Sequence, residues 1–202
     1  MKILGVILAG GLSTRMGGGD KSLLPLADMP LLRHVIIRIT SQVDALVLNA
    51  NGDARRFGAF SLPIAPDSID GYAGPLAGIL AGMDYAAYHG FTHIQTVAAD
   101  TPFFPTDLVQ RLSHDAHAIN IARDDNEIEK FSLHPTFGLW DVSLRDELRV
   151  SISEGMRKVM GFVKQHDWRG VEWISDEYDP FFNVNTPADM AQAELILKDM
   201  NK

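Results

Sequence analysis

Ile3-Leu4-Gly5-Val6-Ile7-Leu8-Ala9-Gly10-Gly11, continuing as Leu12-Ser13-Thr14-Arg15-Met16-Gly17-Gly18-Gly19-Asp20-Lys21-Ser22, carries the pattern from which the architecture follows. Its first six residues are an uninterrupted apolar run, the pattern of a parallel strand buried on both faces. The chain leaves that strand through Gly10-Gly11, where no Cβ obstructs a close approach of backbone to ligand. Successive backbone N–H groups in such a loop suit anionic oxygens, and Arg15 and Lys21 add positive charge. Five glycines and two cations fall between Gly10 and Lys21, which makes the loop a candidate phosphate cradle. The plainer alternative is a glycine-rich surface turn carrying two unrelated cations.

Spelling excludes two other phosphate loops. A P-loop requires Gly-Lys followed by Ser or Thr, and no Gly-Lys dipeptide occurs in the chain. A dinucleotide fingerprint requires G-x-G-x-x-G, but after Gly17 and Gly19 the third glycine position holds Ser22.

Outward from this loop, apolar strand patterns alternate with helical ones. Leu32, Val35, Ile36 and Ile39 have helical spacing within 31–42, behind Pro30. Ala45–Asn49 and Leu62–Ala65 read as short strands, and Pro75 opens a helix carrying Leu76, Ile79, Leu80 and Met83. His93–Ala99 reads as a fourth strand. Ala118–Arg123 and Phe131–Leu139 read as two more, flanking an acidic turn at Asp124-Asp125-Asn126-Glu127 expected to be a solvated hairpin tip. Ser153–Val159 reads as the start of a helix, Val171–Ile174 as a late strand, and Thr186-Pro187 with Asp189 as the start of a terminal helix. Short strand–helix alternation predicts a single α/β domain over 1–202, a three-layer sandwich with a Rossmann-like, mostly parallel sheet.

In open α/β sheets ligands bind at the carboxyl ends of the strands, so the polar residues delivered there are the site candidates. The amide of Asn49 can donate to and accept from a base or ribose, or can close its own turn. Asp67 can accept from ribose hydroxyls or a guanine edge, or form an Asx turn. Asp100, in Asp100-Thr101-Pro102, can hold Mg²⁺, which typically takes one or two carboxylates plus substrate phosphates. Its alternatives are to cap a helix beginning near Pro105 or to brace a turn.

A 202-residue chain with 46% hydrophobic and 22% charged residues suits a soluble globular enzyme. The absence of cysteine excludes disulfides, thiolate metal sites and cysteine nucleophiles. No apolar run approaches the roughly 18 residues of a membrane span, and no leader with a cleavage site is evident, so a cytoplasmic location is expected. The net charge of −8 argues against a nucleic-acid surface but not against a nucleotide, whose binding depends on local charge.

The wording Leu8-Ala9-Gly10-Gly11, Arg15-Met16-Gly17-Gly18 and Asp20-Lys21 resembles the signature of the nucleotidyltransferases that activate sugars and cofactors, in particular the molybdenum cofactor guanylyltransferase family. Gly74-Pro75-Leu76-Ala77-Gly78, His134-Pro135-Thr136 and Asn183-Val184-Asn185-Thr186-Pro187 carry the resemblance to the terminal helix. It implies transfer of GMP from GTP to the molybdenum-pterin cofactor, with Mg²⁺ as cofactor. It implies Arg15, Lys21 and Asp100 in catalysis, and Leu8, Ala9, Gly10, Lys21, Asn49, Asp67 and Asp100 around the nucleotide. The implied metal ligands are Asp100 and, by analogy with related transferases, Asn185. His134-Pro135-Thr136 falls on the acceptor side, where Arg157 and Lys158 would attract the pterin phosphate or else form a solvated basic helix start. Implied partners are GTP, the pterin cofactor, and cofactor-inserting or molybdoenzyme-maturation proteins, with neither nucleic acid nor membrane, and a monomer is expected. The alternatives are a sibling enzyme using CTP or a sugar phosphate, and a non-catalytic nucleotide-binding regulator.

Overall fold

The computed structural model describes residues 1–10, 20–69, 74–115, 117–124, 132–174 and 177–200. Its central sheet is built from β1 (Ile3–Leu8), β4 (Ala45–Asn49), β5 (Ile64–Ala65), β6 (His93–Ala98), β7 (Ile119–Asp124), β8 (Ser132–Asp141) and β9 (Trp168–Trp173). Two further strands, β2 (Pro25–Leu26) and β3 (Met29–Pro30), pair as a separate short hairpin. The order across the sheet is β5-β4-β1-β6-β8-β7-β9. β1, β4, β5 and β6 are mutually parallel and β7 is parallel to β9, while β8 runs antiparallel to both of its neighbours.

β1 is central because both its faces are buried. Ile3 and Ile7 point into the layer holding α1 (Leu31–Thr40) and α3 (Leu108–Leu112). Leu4 and Val6 point into the layer holding α2 (Pro75–Tyr88), α4 (Arg145–Ser153) and α5 (Val159–Val163). This alternation turns a continuous apolar run into the middle of a three-layer sandwich. α6 (Pro187–Met200) lies outside both layers, where Ala193 and Ile196 join Leu26, Leu31, Phe103 and Val184 in a third, smaller cluster.

The register matters most for the site. Leu8 pairs with Asn49 on one side and Ala98 on the other, and Asn49 pairs with Ala65. The four parallel strands therefore end level, and their exit loops emerge together at one edge.

α2 sits unusually close beneath that edge. A Cβ at Gly82 would come within 2.7 Å of Val6, and one at Gly78 would overlap the Asn49 amide and reach 2.9 Å from Leu8. One glycine per turn on the inner face is what lets the helix touch β1 and β4.

Several expectations shift. The second half holds α4, which the sequence pattern did not reveal, so Ser153 ends a helix instead of beginning one. α5 begins at Val159, leaving Arg157 and Lys158 in the connection. Asp124 is the last residue of β7 and is buried, not part of a solvated turn, because Ser132 N–H and His134 hold its carboxylate. The remainder of that acidic turn lies outside the described residues. The late strand begins at Trp168.

Gly78→Ala is expected to cost roughly 1–3 kcal/mol of stability through overpacking. Gly58→Ala, whose Cβ would meet nothing within 4 Å, should be neutral or stabilising by up to about 1 kcal/mol. Urea unfolding of the two variants checks the contrast.

Candidate functional site

Strand ends, the first turn of α2 and one returning segment build the site. Leu8, Gly10, Asn49, Asp67, Gly74, Pro75, Ala98, Asp100, Thr136 and Asn183 line a cavity of about 200 Å³. Gly74, with φ of 61° and ψ of −148°, holds a backbone conformation suited only to glycine at the start of α2. The amino-terminal end of a 14-residue helix therefore opens into the cavity, contributing partial positive charge.

On one side the residues form a polar clamp. Asn49 is only 2% exposed, and its Nδ2 donates to the Ala65 carbonyl at 3.0 Å and to Asp67 Oδ1 at 2.9 Å. Asn51 donates from Nδ2 to Asp67 Oδ2 at 2.8 Å and accepts the Asp67 N–H at 2.9 Å. Both carboxylate oxygens of Asp67 are thus anchored before any ligand arrives, with lone pairs still available to accept. Asn49 and Asp67 therefore form one hydrogen-bonded unit. Asn51 was not singled out from the sequence, although its two-residue spacing from Asn49 was the available signal. A Cβ at Gly10 would lie 3.4 Å from Asn49 Oδ1 and 3.6 Å from Asn51 Nδ2, against the clamp.

Charge converges on the other side. Lys21 begins a 3₁₀ turn (Lys21–Leu23) at the far end of the glycine loop. Its ammonium lies 2.5 Å from Asp100 Oδ2 and donates to Asn185 Oδ1 at 2.6 Å. Three residues far apart in sequence, all named from it, thereby meet at one point. Asp100 does not cap α3; Asp107 precedes that helix, and its carboxylate accepts from Trp173 Nε1.

The returning segment is fixed at both ends. Val184 N–H donates to the Asp100 carbonyl at 2.9 Å. Asp189 Oδ2 accepts the backbone N–H groups of Asn185 and Thr186, and the Thr186 hydroxyl accepts the Asp189 N–H. This reciprocal cap starts α6 and presents the Asn185 side chain toward Lys21. The bond from Asn185 N–H, followed by those involving Thr186, holds the Asp189 carboxyl below its ordinary range.

Two hard oxygens, one carboxylate and one amide, therefore converge on a single cationic atom. That donor set fits Mg²⁺, which binds few protein oxygens and completes its shell with phosphates and water. Among the described residues, no group of three or more His, Cys, Asp or Glu could hold a metal, so a full cage of side chains is not formed there.

The remaining candidates are less concentrated. Arg15 lies outside the described residues. Arg157 donates from Nη1 to the carbonyl of Ile152 in α4 and to that of Met156 just beyond it. His134 stacks on Phe181 with ring centroids 4.3 Å apart and pairs with Asp124, while Thr136, two residues later, lines the cavity.

Residues 5–169 match the model of the MobA-like NTP transferase domain. The chain belongs to that family. This MobA-like chain is 48% identical to a molybdenum cofactor guanylyltransferase of Bradyrhizobium sp. (strain ORS 278), over 94% of its own length and 91% of the relative's. It is 45% identical to a protein of the same name from Mesorhizobium japonicum, over 98% and 97% of the two chains. Among solved structures, it resembles molybdopterin-guanine dinucleotide biosynthesis protein A from Archaeoglobus fulgidus, with a TM-score of 0.74 and 24% identity, covering 98% of this chain and 100% of that one. It also resembles a 4-diphosphocytidyl-2C-methyl-D-erythritol synthase from Anaerococcus prevotii, with a TM-score of 0.75 and 12% identity over 98% and 96% of the two chains. At those identities the structural likenesses establish the shared fold. In this MobA-like chain the segment bearing Asn183 and Asn185 lies beyond the matched domain, yet tertiary contacts bring it into the same site.

Asn49→Ala should strip donors from Asp67 and from the Ala65 carbonyl, costing roughly 1–3 kcal/mol. Asn51→Ala, at an exposed position, should cost less, because water can replace its bonds. Chemical denaturation of both variants tests that order.

Proposed function

We propose that this chain transfers GMP from GTP to the terminal phosphate of the molybdenum-pterin cofactor and releases pyrophosphate. The observation that carries the reading is the meeting of Lys21, Asp100 and Asn185 beside the Asn49–Asp67 clamp. High identity to proteins named molybdenum cofactor guanylyltransferase supplies the substrate class. We assign the activity to the cytoplasm; no helix among the described residues is long and apolar enough to cross a membrane.

The acceptor phosphate is already anionic, so attack on the α-phosphorus needs no dedicated general base. Catalysis then rests on alignment and charge neutralisation. Asp67, anchored by Asn49 and Asn51, accepts from the ribose hydroxyls or from the guanine N1–H and N2–H edge. The backbone at Leu8, Ala9 and Gly10 lies against the nucleoside. Lys21, and Arg15 by resemblance, neutralise the triphosphate and the departing pyrophosphate. Asp100 and Asn185 would hold Mg²⁺, which supplies Lewis-acid stabilisation of charge on the phosphate oxygens. As phosphates enter, the Lys21 ammonium exchanges its Asp100 partner for phosphate oxygens.

Asp100→Asn keeps the shape of the side chain and removes a full negative charge. Transfer is expected to fall by roughly two to four decades, several kcal/mol of barrier, with little change in stability. Calorimetry should show metal-free GTP binding retained or tightened, because a carboxylate near phosphates repels them. Full Mg²⁺-dependent transfer in Asp100→Asn would remove Asp100 from the metal site.

Lys21→Ala should lose one charge-assisted contact of roughly 1.5–3 kcal/mol, seen as one to two decades in kcat/KM. A wild-type rate would exclude the lysine from phosphate binding. Base choice is tested by competition among GTP, CTP and ATP. Gly10→Ala should weaken GTP by crowding the clamp side of the pocket, whereas equal affinity of the unaltered protein for all three nucleotides defeats the guanine assignment.

A further inference from the structure

The sequence places an acidic residue, Asp20, directly before Lys21, the lysine proposed above to meet the phosphates. A free carboxylate there would repel a triphosphate and compete for the lysine. The structure supplies a partner from a different loop. Asp20 Oδ2 forms an ion pair with Nε of Arg56, which lies on the 3₁₀ helix Ala54–Phe60 following β4. Both side chains are about three-quarters buried, at 23% and 28% exposure, so this is not a fully solvated surface pair of the kind that contributes little.

Arg56 is also firmly built in. Its Nη2 donates to the Asn51 carbonyl at 2.6 Å and its Nη1 to the Asp53 carbonyl at 3.0 Å. Its guanidinium carbon sits 4.6 Å from the Phe57 ring centroid. Both Nη groups of the rigid fork donate to backbone carbonyls while Nε faces the Asp20 carboxylate, which fixes the charge in place without a ligand. Asn51 is in turn the residue whose side chain holds Asp67. Arg56 thus joins the end of the glycine loop to the nucleoside clamp.

We propose that Arg56 is a positioning residue whose work is to neutralise Asp20, so that the field around Lys21 stays attractive to a nucleoside triphosphate. It acts through Asp20 and does not itself touch the substrate. The inference rests on the nucleotide-transfer reading only for the presence of a triphosphate, not for the identity of the base.

The test is calorimetric binding of GTP and of uncharged guanosine to the full chain and to Arg56→Met, Asp20→Asn, the double variant and Arg56→Lys. Arg56→Met should weaken GTP about tenfold, the effect of one uncompensated charge in partly screened surroundings, and the loss should shrink in high salt. Asp20→Asn alone should bind GTP as tightly as the parent or tighter. The double variant should recover to within about threefold of the parent, because removing the carboxylate removes the repulsion that Arg56 offsets. Arg56→Lys, which keeps the charge, should stay within the same range, and guanosine affinity should move less than about threefold throughout. A double variant as weak as Arg56→Met, or guanosine falling as far as GTP, overturns the proposal by assigning Arg56 a purely architectural role; an unchanged Arg56→Met overturns it outright. If the parent prefers CTP, the guanine reading fails and the same series run with CTP still decides the role of Arg56.

Discussion

The alignment of four strand ends is the constraint on which the rest depends. Leu8, Asn49, Ala65 and Ala98 sit in one row because β1 pairs in register with β4 and β6, and β4 with β5. Sheet hydrogen bonds and burial of both faces hold that register firmly, since a slip of one residue would turn every apolar side chain into the wrong layer. Each strand therefore releases its next residues at the same height. The glycine loop, Asn51, Asp67 and Asp100 all belong to those exits.

Packing beneath the row and charge above it serve the same end. Gly78 and Gly82 let α2 press against β1 and β4, bringing its amino-terminal end to the cavity beside the Asn49–Asp67 clamp. On the opposite side, Lys21 sits between Asp100 and Asn185. Anchored carboxylates, a helix terminus and a mobile-stemmed ammonium are suited to different parts of a nucleotide. The two carboxylates also differ in kind: Asp67 is held by neutral amides, whereas Asp100 faces a cation. That difference is the physical basis on which we propose a ligand-accepting role for the first and a metal-holding role for the second.

The antiparallel β8 brings the second half of the chain to the same cavity. It carries Thr136 to the cavity, and its neighbour β7 ends in the buried Asp124 that pairs with His134. Asn183 reaches the cavity from the segment leading into α6, which the Val184–Asp100 backbone bond ties to the end of β6. The second half of the chain thereby lines the same cavity as the strand ends of the first.

The sandwich was legible in the sequence alone, as was the gathering of site candidates at the strand ends. An apolar run into Gly10-Gly11 is a local pattern, as are the strand-end positions of Asn49, Asp67 and Asp100 and the Thr186–Asp189 cap. Local patterns were weaker where apolar spacing was diluted by charge, which is why α4, rich in Arg, Asp and Glu, was not legible and Arg157 was set on the wrong element. Asp124 looked like part of a solvated turn because nothing nearby in the sequence announces the ring of His134, ten residues on. Only the tertiary structure decided which polar groups meet: Lys21 with Asn185, Asn51 with Asp67, Asp20 with Arg56. Hydrogen bonds and ion pairs act over about 3 Å of space, and separation along the chain says little about that distance until the sheet has set it.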